Sequence, residues 1–503
     1  MLACEGKFMG EFSSFEEVSR RFVCGECIGE EYLRALIKGK EYHSCSYCES
    51  VSVTCISITE LASHVEKAVR EHFCRTSPEP DDYESALMRD RESSYEWERA
   101  GDPILTLVAE ILGSEESVAS DILEVLSDRF GTVHPGDPDE GEGEFSLDAH
   151  YEEKPVSLLY WSMEWLKLEN ALKYESRFSN PTVMSVLQSV FANLDTARSY
   201  RDGFAIVTAG PGSELTALYR GREFQSQDEL YKALKSPLSE LGPPPGRLAR
   251  ANRMNASGIS VFYGAEDAHS ALAEVRPVVG SKVAVAMFTI IRSLRLLDLR
   301  KLESVGCSGS VFDPAFTEEF ERVQFLRTLT KRLTIPVMPN EKDREYLTTQ
   351  AVADYLAGLE HPAIDGILFP SVQDGVGVNV ALFHKASLVE PLIYPDDVRI
   401  EAALTEYDLD SAIECPEYSI SIRPPSEKEK PVFDAQFFFQ ADYDNPDFPQ
   451  SSVRRQPALK LELQSIEVHE ITAVKVVSKS SKVRVFDRFE LEKFKLADLS
   501  DDF

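Results

Sequence analysis

Residues 252–277 read NRMNASGISVFYGAEDAHSALAEVRP. The segment ISVFYGA has the β-branched and aromatic character of a strand, and its end falls at Tyr263 and Gly264. Beyond the glycine, Ala268, Ala271, Leu272 and Val275 share one face at helical spacing, so a helix is predicted there. Three chemically distinctive side chains stand along this loop, strand and helix: Arg253, Tyr263 and Glu274. Glu274 lies three positions after Ala271 and borders the apolar stripe, while positions four residues away hold Ser270 and Val278, which offer it no cation. That spacing suits an ordinary helix edge or a ligand site. Tyr263 at a strand end can be a core aromatic or can present an apolar ring with a polar tip. Arg253 follows the glycine- and proline-rich GPPPGRLARANRMNASG (242–258), where a guanidinium can clamp a phosphate or simply face water.

Outward from this stretch, short strand-like segments fill the second half of the chain. SKVAVAMFTI, SLRLLDL, DGILFPS and VNVALF follow it, and KLELQSIEVHEI, AVKVVS and KVRVF form a predicted late meander with SKSSK as a turn. An insert over 424–455, rich in proline and acid, reads as loop. The first half is different. Apolar residues recur at helical spacing over 58–72 and 104–130, and a further helical region spans 156–198 with a break at Asn180-Pro181. Residues 131–144, GTVHPGDPDEGEGE, carry too much glycine, proline and acid to pack and read as an exposed linker. The fold class is therefore α+β, with expected boundaries of 1–75 for a cysteine-bearing element with a helix, 76–200 for a helical domain and 201–503 for a mixed-sheet domain.

At 503 residues the chain exceeds one ordinary core, in line with several domains. Its 85 acidic against 53 basic residues give a net charge of -32, which repels phosphate backbones and disfavours nucleic acid as a partner. The longest apolar run, 283–291, is about half of the roughly 20 residues a membrane span needs, and no basic-then-apolar leader opens the chain; no membrane partner is expected, and a cytoplasmic location is. Of nine cysteines, Cys24, Cys27, Cys45 and Cys48 form CGEC and CSYC, separated by 17 residues. Paired thiolates at that spacing predict a closed, structural Zn2+ site that folds the amino terminus, with His43 as a neighbour outside the ligand set.

The blocks of the second half resemble the RES-domain family, whose members act on NAD+ and are related in fold to ADP-ribosyltransferases. The resemblance spans about 204–385. It rests on LYRGREF, NRMNASGISVFYGA, DAHSALAEV, YLTTQAVADYL and DGILFPSVQDGVGVNVALF in that order. It implies an ADP-ribosyltransferase-like sheet, an active-site quartet of Arg253, Tyr263, Glu274 and Ser371, and Arg220 as an added substrate contact. Two positions depart from the family's pattern: Met254 stands where a large aromatic is common, and Ser371 lies between Pro370 and Val372 where a second serine is frequent.

On this resemblance, Arg253 and Arg220 would hold the diphosphate, Tyr263 would stack on nicotinamide, Ser371 would bond the dinucleotide and Glu274 would stabilise the sugar cation. NAD+ would be substrate, cleaved by a glycohydrolase or phosphorylase reaction. The fusion of such a domain to a long acidic N-terminal half motivates the expectation of a toxin or defence effector regulated by that half, with a regulatory or antitoxin protein as partner and the oligomeric state open. Protein ADP-ribosylation and a non-enzymatic binding role remain alternatives. RFGTVH, with Arg129 and His134, also resembles the spacing of HEPN ribonucleases, although Gly131 and Pro135 disfavour the helix that such a site needs.

Overall fold

The structure is a computed structural model that describes residues 14–89, 95–130, 143–394, 398–408, 413–423, 455–475 and 477–484. At the N-terminal end, strands β1 (Phe22–Cys24), β2 (Tyr42–His43) and β3 (Val53–Ser57) form a small sheet in the order β1-β3-β2, with helix α1 (Glu31–Ile37) between β1 and β2. Helix α2 (Ile58–His72) covers the predicted range. Its start is set by Ser57, whose hydroxyl accepts from the Glu60 amide at 3.2 Å. The stripe Ile58, Leu61, Ala62, Val65, Ala68 and Val69 is buried. The helical pattern over 104–130 resolves into two helices, α3 (Ile104–Leu112) and α4 (Glu116–Phe130). Gly113 adopts φ +58, the left-handed conformation that terminates a helix.

These elements share one apolar core, and Phe312 joins it from far along the chain. Helices α5 (Leu159–Tyr174) and α6 (Pro181–Val190) break where expected. The Asn180 side chain accepts from the Thr182 amide at 3.0 Å, and Pro181 occupies the first helical turn. Both helices pack with the second-half sheet, in a core that also takes in Leu297, Leu326, Val352, Ile367 and Ala381.

That sheet has nine strands: β4 (Ile206–Ala209), β5 (Ala217–Phe224), β6 (Phe262–Ala265), β7 (Lys282–Ile290), β8 (Leu294–Asp298), β9 (Gly366–Pro370), β10 (Val378–Leu382), β11 (Leu459–Leu461) and β12 (Glu467–Glu470). The order is β11-β7-β5-β6-β10-β9-β8-β4, with β12 also on β7. Only β8 and β9 run parallel among these pairings. Strands β5 and β6 meet at the single pair Tyr219–Ala265, so the sheet opens there. Helix α7 (Gln227–Lys235) covers one face through Leu230, Ala233 and Leu234, against Leu218, Phe262, Phe288 and Leu382. The other face carries two separate apolar patches. Helix α8 (Ala268–Glu274) covers Ala265, Val283 and Val285, whereas α5, α6, α9 (Pro314–Thr334) and α10 (Leu347–Gly358) cover Leu297, Ile367 and Ala381.

Two expectations need correction. Among the described residues the late meander is limited to β11 and β12; residues 473–475 and 477–484 show no strand, and β7 is already paired by β11, β12 and β5. A hairpin, Arg399–Asp408 with Ile413–Arg423, was not anticipated. The predicted loop over 424–455 and linker over 131–144 lie outside the described residues except for Arg455, Gly143 and Glu144.

Candidate functional site

Glu274 ends α8 at the seam between the two apolar patches. Gly221 of β5 is what lets this helix sit so low: a Cβ there would come within 2.9 Å of the Ala271 carbonyl. Asp267 caps the helix, accepting from the Ser270 amide at 2.8 Å. The Glu274 carboxylate then receives two hydrogen bonds on one oxygen, from Ser371 Oγ at 2.6 Å and from Asn379 Nδ2 at 2.7 Å, both to Oε1. Glu274 is half-buried, whereas Ser371 and Asn379 are 3% and 5% exposed. No protein group among the described residues bonds Oε2, so one oxygen is fixed and the other is open to a ligand.

Ser371 sits where β9 runs into the loop 371–377. The loop closes through the Ser371 amide on the Gly377 carbonyl at 2.7 Å. Asp374 fastens it to α8 by accepting from Ser270 Oγ at 2.6 Å. Ser270 and Glu274 are four positions apart on the helix and so share a face, and the loop meets both.

Tyr263 lies on the same sheet face. Ala265 pairs with Asn379 and Tyr263 with Ala381, which puts Tyr263 and Asn379 on a diagonal of roughly 7–8 Å. Its hydroxyl is already committed, donating to Asn255 Oδ1 at 2.8 Å and accepting from the Met254 amide at 3.0 Å. Burial pushes the phenol pKa up. Tyr263 thereby fixes the turn that carries Arg253. The Arg253 guanidinium donates to the carbonyls of Leu333 at 2.7 Å and Ile335 at 3.0 Å, capping the end of α9, and it lies 5.1 Å from the centroid of the Tyr346 ring. Its pKa is lowered, first by burial and also by the charge of Arg276 nearby. A guanidinium has about five N–H donors, so two carbonyls do not exhaust it.

Arg220 is placed differently. Strand alternation puts it on the face opposite Tyr219 and Gly221, away from α8. There it stacks 5.6 Å from the Phe262 ring centroid and donates to the Tyr263 carbonyl at 2.7 Å, filling the opening between β5 and β6. Its Nε is buried with no partner among the described residues, and desolvation pushes the pKa down to about 10. The structure thus joins Glu274 directly to Ser371, joins Tyr263 to the Arg253 turn on the same face, and sets Arg220 on the reverse side.

A comparison with protein-family models matches residues 219–401 to the RES domain. The chain carries a RES domain. No curated protein and no solved structure matched it. RES domains are associated with NAD+-utilising enzymes. The matched range starts at Tyr219 in β5 and takes in Arg220, the arginine turn, α8, Ser371 and β10. Of the N-terminal core only the segment at Phe312, with Val311 packed beside it, falls inside the matched range.

The four cysteines converge in that N-terminal core. All four sulfurs lie within 4.8 Å of one another, with Cys24–Cys27 at 3.8 Å, Cys24–Cys48 at 3.5 Å and Cys27–Cys45 at 3.8 Å. A tetrahedron of sulfurs about 2.3 Å from a central zinc has edges of about 3.8 Å, so the spacing fits such an ion. His43 stacks on Phe22 with centroids 3.9 Å apart instead of entering the cluster. Tyr47, between the second pair of cysteines, donates to Asp121 of α4, which also accepts from Arg21 at 2.7 Å. This bond fastens the cysteine knuckle to the helices. Arg129 donates to Ser63 Oγ and the Thr59 carbonyl and pairs with Glu66 at 3.6 Å. His134 lies outside the described residues.

Sequence reasoning missed Asn379, the Ser270–Asp374 clamp and Arg276. A lone amide inside VNVAL was a readable signal for the first. Arg276 left one too: it follows Glu274 by two positions, and in the structure it holds φ +52, an uncommon conformation for a side chain of its size.

Proposed function

We propose that the RES domain cleaves the bond between nicotinamide and ribose in NAD+. The observation that carries this reading is Glu274, held through Oε1 by two donors with Oε2 open, on the sheet face that also bears Tyr263. The bond to be broken joins C1′ of the ribose to a cationic pyridinium nitrogen. As it breaks, nicotinamide leaves with the bonding electron pair as a neutral molecule, so no general acid is needed, in contrast to ordinary glycosides. Positive charge is left on the sugar. The Glu274 carboxylate offsets that charge, and a preorganised electrostatic contribution of this kind is worth about 3–4 kcal/mol. A water or phosphate oxygen then forms the new bond to C1′, and the proton of that nucleophile passes to solvent.

Arg253 and Arg276 supply the cations for the diphosphate, and the Tyr263 ring offers a face to nicotinamide. Incubating the full chain with NAD+ and measuring free nicotinamide, with and without phosphate, tests both substrate and acceptor. Release is expected from the native chain and not from Glu274→Gln; equal release from both would refute the assignment.

The N-terminal core we read as a zinc-stabilised module that regulates the RES domain. Four thiolates close the coordination shell, so zinc there would serve folding and leave no open position for substrate. Reduced cysteines fit a cytoplasmic setting. Among the described residues no helix is long and apolar enough to cross a membrane. A toxin or defence role with a protein regulator agrees with a potentially harmful NAD+ consumer fused to such a module. Deleting residues 1–153 should change the rate of nicotinamide release, and an identical rate would count against regulation.

A further inference from the structure

Strand β10 reads VNVAL, and Asn379 is its one polar residue, with Val378, Val380, Ala381 and Leu382 all buried around it. It lies mid-sheet, paired with Ala265 of β6 on one side and Phe369 of β9 on the other. Its Nδ2 donates to Glu274 Oε1 at 2.7 Å, which fixes the orientation of the carboxamide. Among the described residues the other end of that amide has no partner: Oδ1 is buried without a hydrogen bond. An unsatisfied buried carbonyl destabilises a fold, and an apolar side chain of similar size would remove the penalty. The amide is thus maintained against a stability cost, and its one bond among the described residues goes to Glu274.

We infer that Asn379 is the positioning residue of the RES-domain carboxylate, an assignment that rests on the role given to Glu274 above. Ser371 alone does not define the carboxylate plane, because its hydroxyl rotates; that oxygen also accepts from the Gln373 amide at 3.2 Å, in a loop exposed to solvent. Asn379 is planar and anchored in the sheet. Together the two donors, one from the sheet interior and one from its rim, converge on Oε1 and turn Oε2 toward the open side. The sugar cation then meets a carboxylate already oriented, without a reorganisation step. A displacement of about 1 Å at a reacting group can lower the rate about 100-fold.

Two substitutions in the full chain test this. Asn379→Leu removes the donor together with the orphaned acceptor. Its kcat for nicotinamide release should fall about 100-fold, with KM for NAD+ little changed and a melting temperature at or above the native value. Asn379→Asp keeps the shape but loses the donor while the new carboxyl is ionised. As pH falls the introduced carboxyl takes up a proton, its O–H restores the donor to Glu274 Oε1, and activity should return. The charged groups nearby, Asp374, Arg253 and Arg276, are common to both variants, so the Leu variant is the reference for the profile.

Native kcat in Asn379→Leu, a loss of kcat matched by a loss of melting temperature, or a flat acid limb in Asn379→Asp would each overturn the inference. If the native chain releases no nicotinamide, the NAD+ reading fails by itself. Crystal structures then decide the positioning role: Glu274 swung away from Ser371 in Asn379→Leu supports it, and an unmoved carboxylate overturns it.

Discussion

Replacing Gly377 by alanine should loosen the loop that presents Ser371 while leaving the sheet intact. A Cβ at this position would collide with Ser270 Oγ and with Asp374 Oδ2, and would lie 2.7 Å from Ser270 Cβ. Rotating the serine hydroxyl does not relieve the last contact, so the loop must lift from α8. The Ser270–Asp374 bond of 2.6 Å is then lost. A hydrogen bond to a charged group contributes about 1.5–3 kcal/mol, whereas reduced freedom of the unfolded chain returns about 0.4–1 kcal/mol for Gly→Ala. The net is about 1–2 kcal/mol, a factor of about 5–30 in the opening equilibrium.

Hydrogen exchange reads this directly. The Ser371 amide, bonded to the Gly377 carbonyl, and the Val376 amide, bonded to Asp374 Oδ1 at 3.0 Å, should exchange about 5–30-fold faster, with β8 and β9 unaffected. Asp374→Ala should speed the same amides, and the double variant should cost less than the sum, since both changes break one contact. Unchanged exchange in Gly377→Ala would refute the clamp.

Three further outcomes follow from the same structure. A Cys24→Ser, Cys45→Ser double variant should lose bound zinc by elemental analysis and should unfold the N-terminal module at lower temperature. Phe312→Ala should destabilise by about 3–5 kcal/mol in denaturant titration, because Phe312 is 7% exposed and seated in the N-terminal core. Glu144 is held below the usual carboxylate range by its hydrogen bonds to Arg70. Its contribution should therefore be complete above the unfolded value of about 4.3 and be lost as pH falls through the lower folded value. Arg70→Gln should flatten the change in urea midpoint across that acid range.

Local signals made α2 and the β6–α8 unit legible. Helical spacing over 58–72 marks α2 and its buried face, and strand, glycine and stripe mark β6–α8 within a couple of dozen residues. The cysteine pairs were legible because metal geometry requires their spacing. Helix α9 was not: it buries Arg322 and Thr330 among its apolar residues, which blurs the stripe. Arg322 is paid for by a partner in another segment, the Val190 carbonyl at 3.1 Å.

Arg220 shows a different limit. Its strand was readable, and alternation separates it from Tyr219 and Gly221, but the face covered by α8 depends on where that helix docks. The link from Glu274 to Asn379 spans 105 positions, so no local pattern could announce it. The family resemblance implies that Arg253 holds the diphosphate, and its two bonds to the end of α9 are tertiary contacts that spacing does not encode.

Those same bonds connect the N-terminal module with the candidate site. Phe312 is embedded in the N-terminal core, Asp313 caps α9 by accepting from the Ala315 amide at 3.0 Å, and the 21-residue helix runs about 31 Å to the carbonyls that Arg253 holds. His72 of α2 adds a contact to Thr317 at 3.4 Å near the start of that helix. A helix is stiff along its axis, so a shift of the module that pulls on Phe312 displaces the far end as well. Arg253 would have to follow or release its carbonyls, and the Tyr263 hydroxyl, bonded to the next residue's amide, is tied to the same turn. Glu274 is fastened independently, to β10 and the 371–377 loop. The architecture therefore separates the cationic turn, which can respond to the module through α9, from the carboxylate, which is anchored in the sheet.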